Sequence, residues 1–398
     1  MQIQTRSLPV LIPLLWAGVS VAQDGLPTAA TRRVDTVNTV LGTQTIGIKY
    51  TFTDQTGLVE TAERIREMGS TLLKFSLGRR MTETYGLPPR EDIRSLTELA
   101  SKEPSVKKVL DMPFAFYHMW VYPFANSDSS WKDGLSEKER KETYDEVRAL
   151  AAYLLRTYRG TGKTFFFGHW EGDWCLHPDY DRKRDPAPEA IQGMIDWLNV
   201  RQAAIEDAKR EAQAEDVNVY QYTEANLVQK GLQGGACLVS RVLPFTKVDY
   251  VSYSCYDTIN PHKGDTRKAL QEALDYIESK LPPKPEIRGK RVFIGEYGFP
   301  LEMTKTQEVQ DLYSRDVCRA ALEWGCPFAL YWELYCNEKK DGKHRGFWLI
   351  DDKNQKQRFY YTLQRYYENM GRFVEAFKKE HGRVPTDAEI RKKALEIL

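Results

Sequence analysis

The sequence predicts an α/β chain folded as a (β/α)8 TIM barrel, one main domain with a short N-terminal arm and a helical C-terminal extension. Three observations predict it. Apolar, β-like runs alternate with stretches of helical periodicity eight times over roughly 330 residues. Two of those runs, Phe165–Glu171 and Arg291–Pro300, carry a glutamate at the C-terminal end of the strand, the end where barrel sites are built. The 398 residues, 41% hydrophobic and 28% charged, suffice for one large core, and no internal repeat or low-complexity tract competes.

In chain order, residues 1–22 read as a signal peptide. Arg6 is followed by the apolar run Leu8–Val21, and Ser20-Val21-Ala22 offers small residues for cleavage before Gln23. The run is too short for a membrane anchor, so the mature chain is expected to be secreted or periplasmic and free of the membrane. Residues 23–44 are polar and Thr-rich and read as an arm, residues 45–370 as the barrel and residues 371–398 as the extension.

The first strand is expected at Thr45–Tyr50, followed by a helix over Gly57–Met68 in which Leu58, Ala62, Ile65 and Met68 repeat at helical spacing. Strand two follows at Thr71–Leu77 and a helix at Glu91–Ala100, and the third apolar run spans Val106–Trp120. A long loop, Val121–Gly134, precedes a helix opened by the capping-box pattern at Ser136–Glu139. Strand four is Thr164–Trp170, and Glu189–Gln213 is a long amphipathic helix. Strand five is Val217–Tyr222, a glycine-broken helix spans Asn226–Val242, and strand six is Val248–Ser254. The helix Gly264–Lys280, strand seven at Arg291–Glu296, the helix Thr306–Trp324, strand eight at Cys326–Trp332 and a helix at Gln355–Met370 complete the set.

Composition narrows the partner. With 57 basic and 56 acidic residues the net charge is +1, which offers no field for nucleic acid or an anionic membrane. Aromatic residues make up 12% of the chain, many beside polar groups at the ends of apolar runs, an arrangement suited both to carbohydrate rings and to ordinary cores. The six cysteines, at 175, 237, 255, 318, 326 and 336, show no C-x-x-C pair. They fit either disulfides permitted by export or buried free thiols. His118, His169 and His177 lack helical metal spacing, so no metal and no cofactor is expected.

Glu171 ends strand four and Glu296 ends strand seven, and two converging carboxylates are the minimum equipment for glycosidic cleavage. At these residues the chain resembles the clan A retaining glycoside hydrolases, whose acid/base ends strand four and whose nucleophile ends strand seven. Ile294-Gly295-Glu296-Tyr297-Gly298 is similar to the clan's nucleophile strand, and Ala329-Leu330-Tyr331-Trp332-Glu333 to its eighth strand. Gly346–Asp351 with Phe359-Tyr360-Tyr361 resembles the approach to its last helix, so the likeness extends from Ile46 to about Tyr367. Trp170 stands where the clan commonly has Asn. The resemblance implies a carbohydrate substrate, Glu171 as acid/base, Glu296 as nucleophile, Trp332 as a sugar platform, and a tyrosine after strand six donating to the nucleophile. Tyr253 and Tyr256 both fit that last role, with Tyr253 favoured.

Other residues are expected to contact substrate. Lys74 ends strand two, and His118 and Trp120 end strand three. Trp170 precedes Glu171, Asp173 follows it as a rival acid, and Glu224 and Glu333 follow strands five and eight. Competing readings are an inverting hydrolase on the same barrel, a barrel that binds glycans without cleaving them, and a metal-assisted hydrolase.

Overall fold

The computed structural model describes residues 33–126, 129–260, 262 and 265–398. The expected signal peptide lies outside the described residues. Eight parallel strands close into a barrel in sequence order: β1 Leu41–Thr45, β2 Leu72–Gly78, β3 Phe116–Tyr122, β4 Thr164–Gly168, β5 Asn218–Ala225, β6 Tyr250–Ser254, β7 Val292–Tyr297 and β8 Ala329–Tyr331. Closure comes from β1 against β8, with Leu41 opposite Ala329 and Thr43 opposite Tyr331.

Outward side chains of the strands pack beneath the helices, where Leu73, Phe75, Tyr117, Phe165, Val219 and Val251 are buried with the helical stripes. Inward side chains fill the barrel itself, with Leu72, Phe166, Tyr222, Phe293, Phe328 and Leu330 as its apolar layers. The interior is therefore a packed plug, and chemistry is confined to the C-terminal mouth.

The structure corrects several boundaries. The first strand is Leu41–Thr45, so it begins within the stretch expected to be an arm and ends at the expected start of the barrel, and Ile46 onward forms a mouth loop. Its sequence, Leu-Gly-Thr-Gln-Thr, is weakly apolar because space inside the barrel is short: a Cβ on Gly42 would stand 2.6 Å from Leu72 Cδ2. The third apolar run is two elements, the helix Pro104–Asp111 and β3. Val106, Val109 and Leu110 are the buried stripe of that helix, which ends at Met112, held extended before Pro113.

Glycines break the segment after β5 into the helical pieces Val228–Leu232 and Leu238–Val242. The last barrel helix runs unbroken from Arg358 to His381, through the expected start of the extension. The helix Asp387–Ile397 then folds back, burying Ile390 and Ala394, and Arg391 Nη2 donates to Gly325 O at 3.1 Å. The C-terminal segment thus belongs to the outer layer of the barrel. Cys237, Cys255, Cys318, Cys326 and Cys336 are buried thiols outside any disulfide.

Candidate active site

Alternation along the strands decides which side chains reach the mouth from inside. Lys74 from β2, Trp120 from β3, Glu224 from β5, and Ser252 and Ser254 from β6 point inward and meet. Lys74 Nζ donates to Glu224 Oε2 at 2.9 Å, to Glu296 Oε1 at 3.1 Å and to Gly295 O at 3.1 Å. Ser252 Oγ donates to Glu224 Oε2 at 2.7 Å. Glycine at 295 is what lets β7 approach this cluster, because a Cβ there would stand 1.7 Å from Ser252 Oγ.

Glu171 lies just past β4 at the head of the short helix Gly172–Leu176. Its backbone N–H donates to Glu224 Oε1 at 3.1 Å, and Trp174 Nε1 donates to its Oε2 at 2.5 Å. Ser254 Oγ donates to Glu171 Oε1 and lies 3.5 Å from Glu296 Oε2, so one hydroxyl touches both carboxylates.

The cluster holds three carboxyl groups and a single ammonium, all buried. Burial raises the Glu171 carboxyl to about 7; the Ser254 hydrogen bond opposes that rise and the Glu224 charge adds to it. Burial raises Glu296 as well, opposed by Lys74 and reinforced by Glu224 and Glu171. Burial alone would lower the Lys74 ammonium, but the charges of Glu224 and Glu296 outweigh it and hold it above its ordinary range. Lys74 touches Glu296 and not Glu171, so its charge favours the ionised form of Glu296 more directly.

Above the pair opens a cavity of about 780 Å³ walled by Trp120, Trp332, Phe347 and Tyr256, with Trp170 at its rim. The rings of Trp120 and Trp332 stand 6.3 Å apart. Tyr256 Oη is buried and has no hydrogen-bond partner among the described residues. Burial, then the charges of Glu296 and Glu171, raise this phenol, so it stays protonated with its O–H available to a ligand. On the far side Arg345 is held by Glu302 at 2.7 Å and Glu338 at 2.5 Å, and Trp332 Nε1 donates to Glu338 Oε1 at 3.1 Å.

The structure brings Glu171, Glu296, Trp120, Trp170, Tyr256 and Trp332 together around one cavity. Lys74 and Glu224 are corrected: both are fully buried beneath the carboxylates, where they hold Glu296 and the Glu171 backbone and do not line the cavity. His118 lies a layer deeper, its ring stacked on Phe166 at 4.4 Å and edged by Phe328, and burial keeps it neutral.

Asp173 faces away from the cavity. Its carboxylate accepts the backbone N–H groups of Asn226, Leu227 and Leu238 and ties the loops together. Tyr253 points outward between the inward Ser252 and Ser254, and its hydroxyl bonds Asp257 and Thr258. Glu333 accepts from the backbone of Ile46 at 3.2 Å and Asn337 at 3.0 Å, pinning the loop after β8 to the end of β1.

Sequence reasoning missed Ser254 and the Glu302–Arg345–Glu338 network. Strand alternation held the signal for Ser254; the loop residues carry no periodic signal. Among the described residues no cluster of three or more His, Cys, Asp or Glu stands where it could hold a metal ion.

No protein-family model and no curated protein matches this chain. Among solved structures the fold is similar to an exo-β-1,4-mannosidase from an Opitutaceae bacterium, at 12% identity and a TM-score of 0.54, over 86% of this chain and 62% of that one. It is also similar to a GH5_18 variant from Bifidobacterium longum in complex with Manβ1-4GlcNAc, at 10% identity and a TM-score of 0.50, over 78% of this chain and 72% of that one. A family 39 glycoside hydrolase from Bacteroides cellulosilyticus matches at 12% identity and a TM-score of 0.49, over 84% of this chain and 64% of that one. The chain therefore spans less than two thirds of the mannosidase and of the family 39 enzyme. At such identities the likeness is one of fold.

Proposed function

We propose that this protein is a retaining glycoside hydrolase of the clan A type, with a carbohydrate substrate, Glu171 as acid/base and Glu296 as nucleophile. The observation that carries the reading is the single hydroxyl of Ser254 in contact with both carboxylates at the floor of an aromatic cavity. Two hydrogen-bond lengths through one oxygen keep the facing oxygens within about 6 Å, short of the inverting separation of about 6.5–9.5 Å and compatible with the retaining one of about 5–5.5 Å.

The surroundings divide the labour. Glu296, against the Lys74 ammonium that favours its carboxylate, attacks the anomeric carbon in its ionised form. Glu171, raised to about 7 by burial, carries the proton that goes to the leaving oxygen as the glycosidic bond breaks. In the second step Glu171, now ionised, takes a proton from water as that water attacks the same carbon and frees Glu296. Trp332 and Trp120 offer faces to a sugar ring, and Tyr256 a free hydroxyl beside the pair. Residues 1–22 export the enzyme, so it acts outside the cytoplasm.

A panel of aryl glycosides and polysaccharides tests the reading. Glu296→Gln should lower turnover by about 10⁴-fold or more while leaving substrate affinity and thermal stability near the parent's. Near-parent turnover in that variant, or a parent that binds glycans and cleaves none, overturns it.

A further inference from the structure

Glu171 is shared by two cavities. The first holds Glu296 and the aromatic walls; the second, of about 750 Å³, lies on the other side of Glu171 between the loops that follow β4, β5 and β6, and Glu296 does not reach it. During glycoside cleavage the nucleophile faces the ring under attack and the acid faces the departing oxygen. On the reading of Glu171 as acid/base proposed above, the second cavity therefore receives the leaving group.

Its wall is built from cations and unpartnered polar atoms. Arg182 and Lys183 are exposed on its rim and have no ion pair among the described residues. Lys230 stands behind them, 3.0 Å from His177 Nε2 and 3.1 Å from Asp185. Deeper in, Asn226 is 4% exposed; its Oδ1 accepts from Asp173 N, while its Nδ2 has no partner. Tyr256 Oη and Asn260 Oδ1 beside it are also buried and unpartnered. The acid on this wall besides Glu171 is Asp257, which is occupied by Tyr253 Oη and by Gln229 N at 2.8 Å.

The two cavities differ in charge. In the first, Arg345 is consumed by Glu302 and Glu338, leaving a surplus of carboxylates suited to the hydroxyls of a neutral ring. The second has cations to spare and a buried amide donor aimed nowhere else. We infer that the second cavity is a leaving-group subsite selecting a sugar that carries an anionic substituent, whether carboxylate, sulfate or phosphate. Arg182 and Lys183 would hold the anion, and Asn226 Nδ2 would donate to the ring next to it.

Calorimetric titration of the full-length mature protein with glucose, glucuronate, a glucose monosulfate and a glucose monophosphate tests this. The three acidic sugars separate the possible sources of the anion. At least one of them should bind about tenfold tighter than glucose, and the charge-reversed variant Arg182→Glu/Lys183→Glu should abolish that preference while keeping the parent's melting temperature. Equal affinities for glucose and all three acidic sugars, no binding of any acidic sugar, or a preference that survives the charge reversal overturns the inference.

Turnover is not read in this experiment, so the two proposals fail separately. A protein that prefers acidic sugars yet cleaves no glycoside refutes the catalytic reading, and with it the leaving-group role, but leaves the anion-selective sugar site standing. Cleavage of neutral glycans without anion preference refutes the subsite alone.

Discussion

Glu171 and Glu296 meet on one hydroxyl: Ser254 Oγ donates to Glu171 Oε1 and stands 3.5 Å from Glu296 Oε2. The contact opposes the burial that raises the Glu171 carboxyl, which stands at about 7 with the hydrogen bond in place. Ser254→Ala removes it, and the Glu171 carboxyl rises further. An acid that must be protonated loses activity as pH climbs through its pKa, so the alkaline limb of kcat/KM should move to higher pH by about one unit. Ser254→Thr keeps the hydroxyl and should keep the limb in place. An unmoved limb in the alanine variant contradicts the role given to the bridge.

Lys74 neutralises part of a buried cluster that has no other ammonium in contact among the described residues. Lys74→Met leaves Glu224 and Glu296 buried without it and should cost about 3–5 kcal/mol in urea unfolding. Adding Glu224→Gln removes one of the stranded charges and should recover part of the loss. A Lys74→Met variant as stable as the parent would show that the carboxylates do not depend on this cation.

Asp173 separates the structural from the chemical carboxylates. Its Oδ1 accepts from Leu238 N and its Oδ2 from Asn226 N and Leu227 N, so Asp173→Asn turns one acceptor into a donor facing a backbone N–H. Stability should fall by about 1–3 kcal/mol, while the alkaline limb of kcat/KM stays where it was. A displaced limb at full stability would return Asp173 to candidacy as the acid.

The barrel was legible because its elements follow different periods. Strands buried on both faces read as apolar runs, and the helices between them carry stripes such as Leu58, Ala62 and Ile65. Where a strand is narrow and lined by small residues, as at Leu41–Thr45, apolarity fails as a signal. Where a buried helix abuts a strand, as at Val106 to Trp120, the two merge into one run.

Glu171, Glu296 and Trp332 were legible as strand-end residues. Which neighbour faced the cavity was not, because that depends on alternation in register: Ser254 points in and Tyr253 out, with the opposite preference expected from side-chain chemistry alone. Glu224 and Glu333 show the same limit, since a carboxylate at a strand end serves a backbone N–H as readily as a hydroxyl.

The most direct test of the central claim is covalent trapping. The parent enzyme is incubated with an activated deoxyfluoro glycoside of whichever sugar it cleaves, then digested and mapped by mass spectrometry. The account predicts one glycosyl adduct, on the Glu296 side chain in the peptide containing β7, and none in Glu296→Gln. An adduct on Glu171 or elsewhere, or turnover that releases the inverted anomer with no adduct, would contradict it.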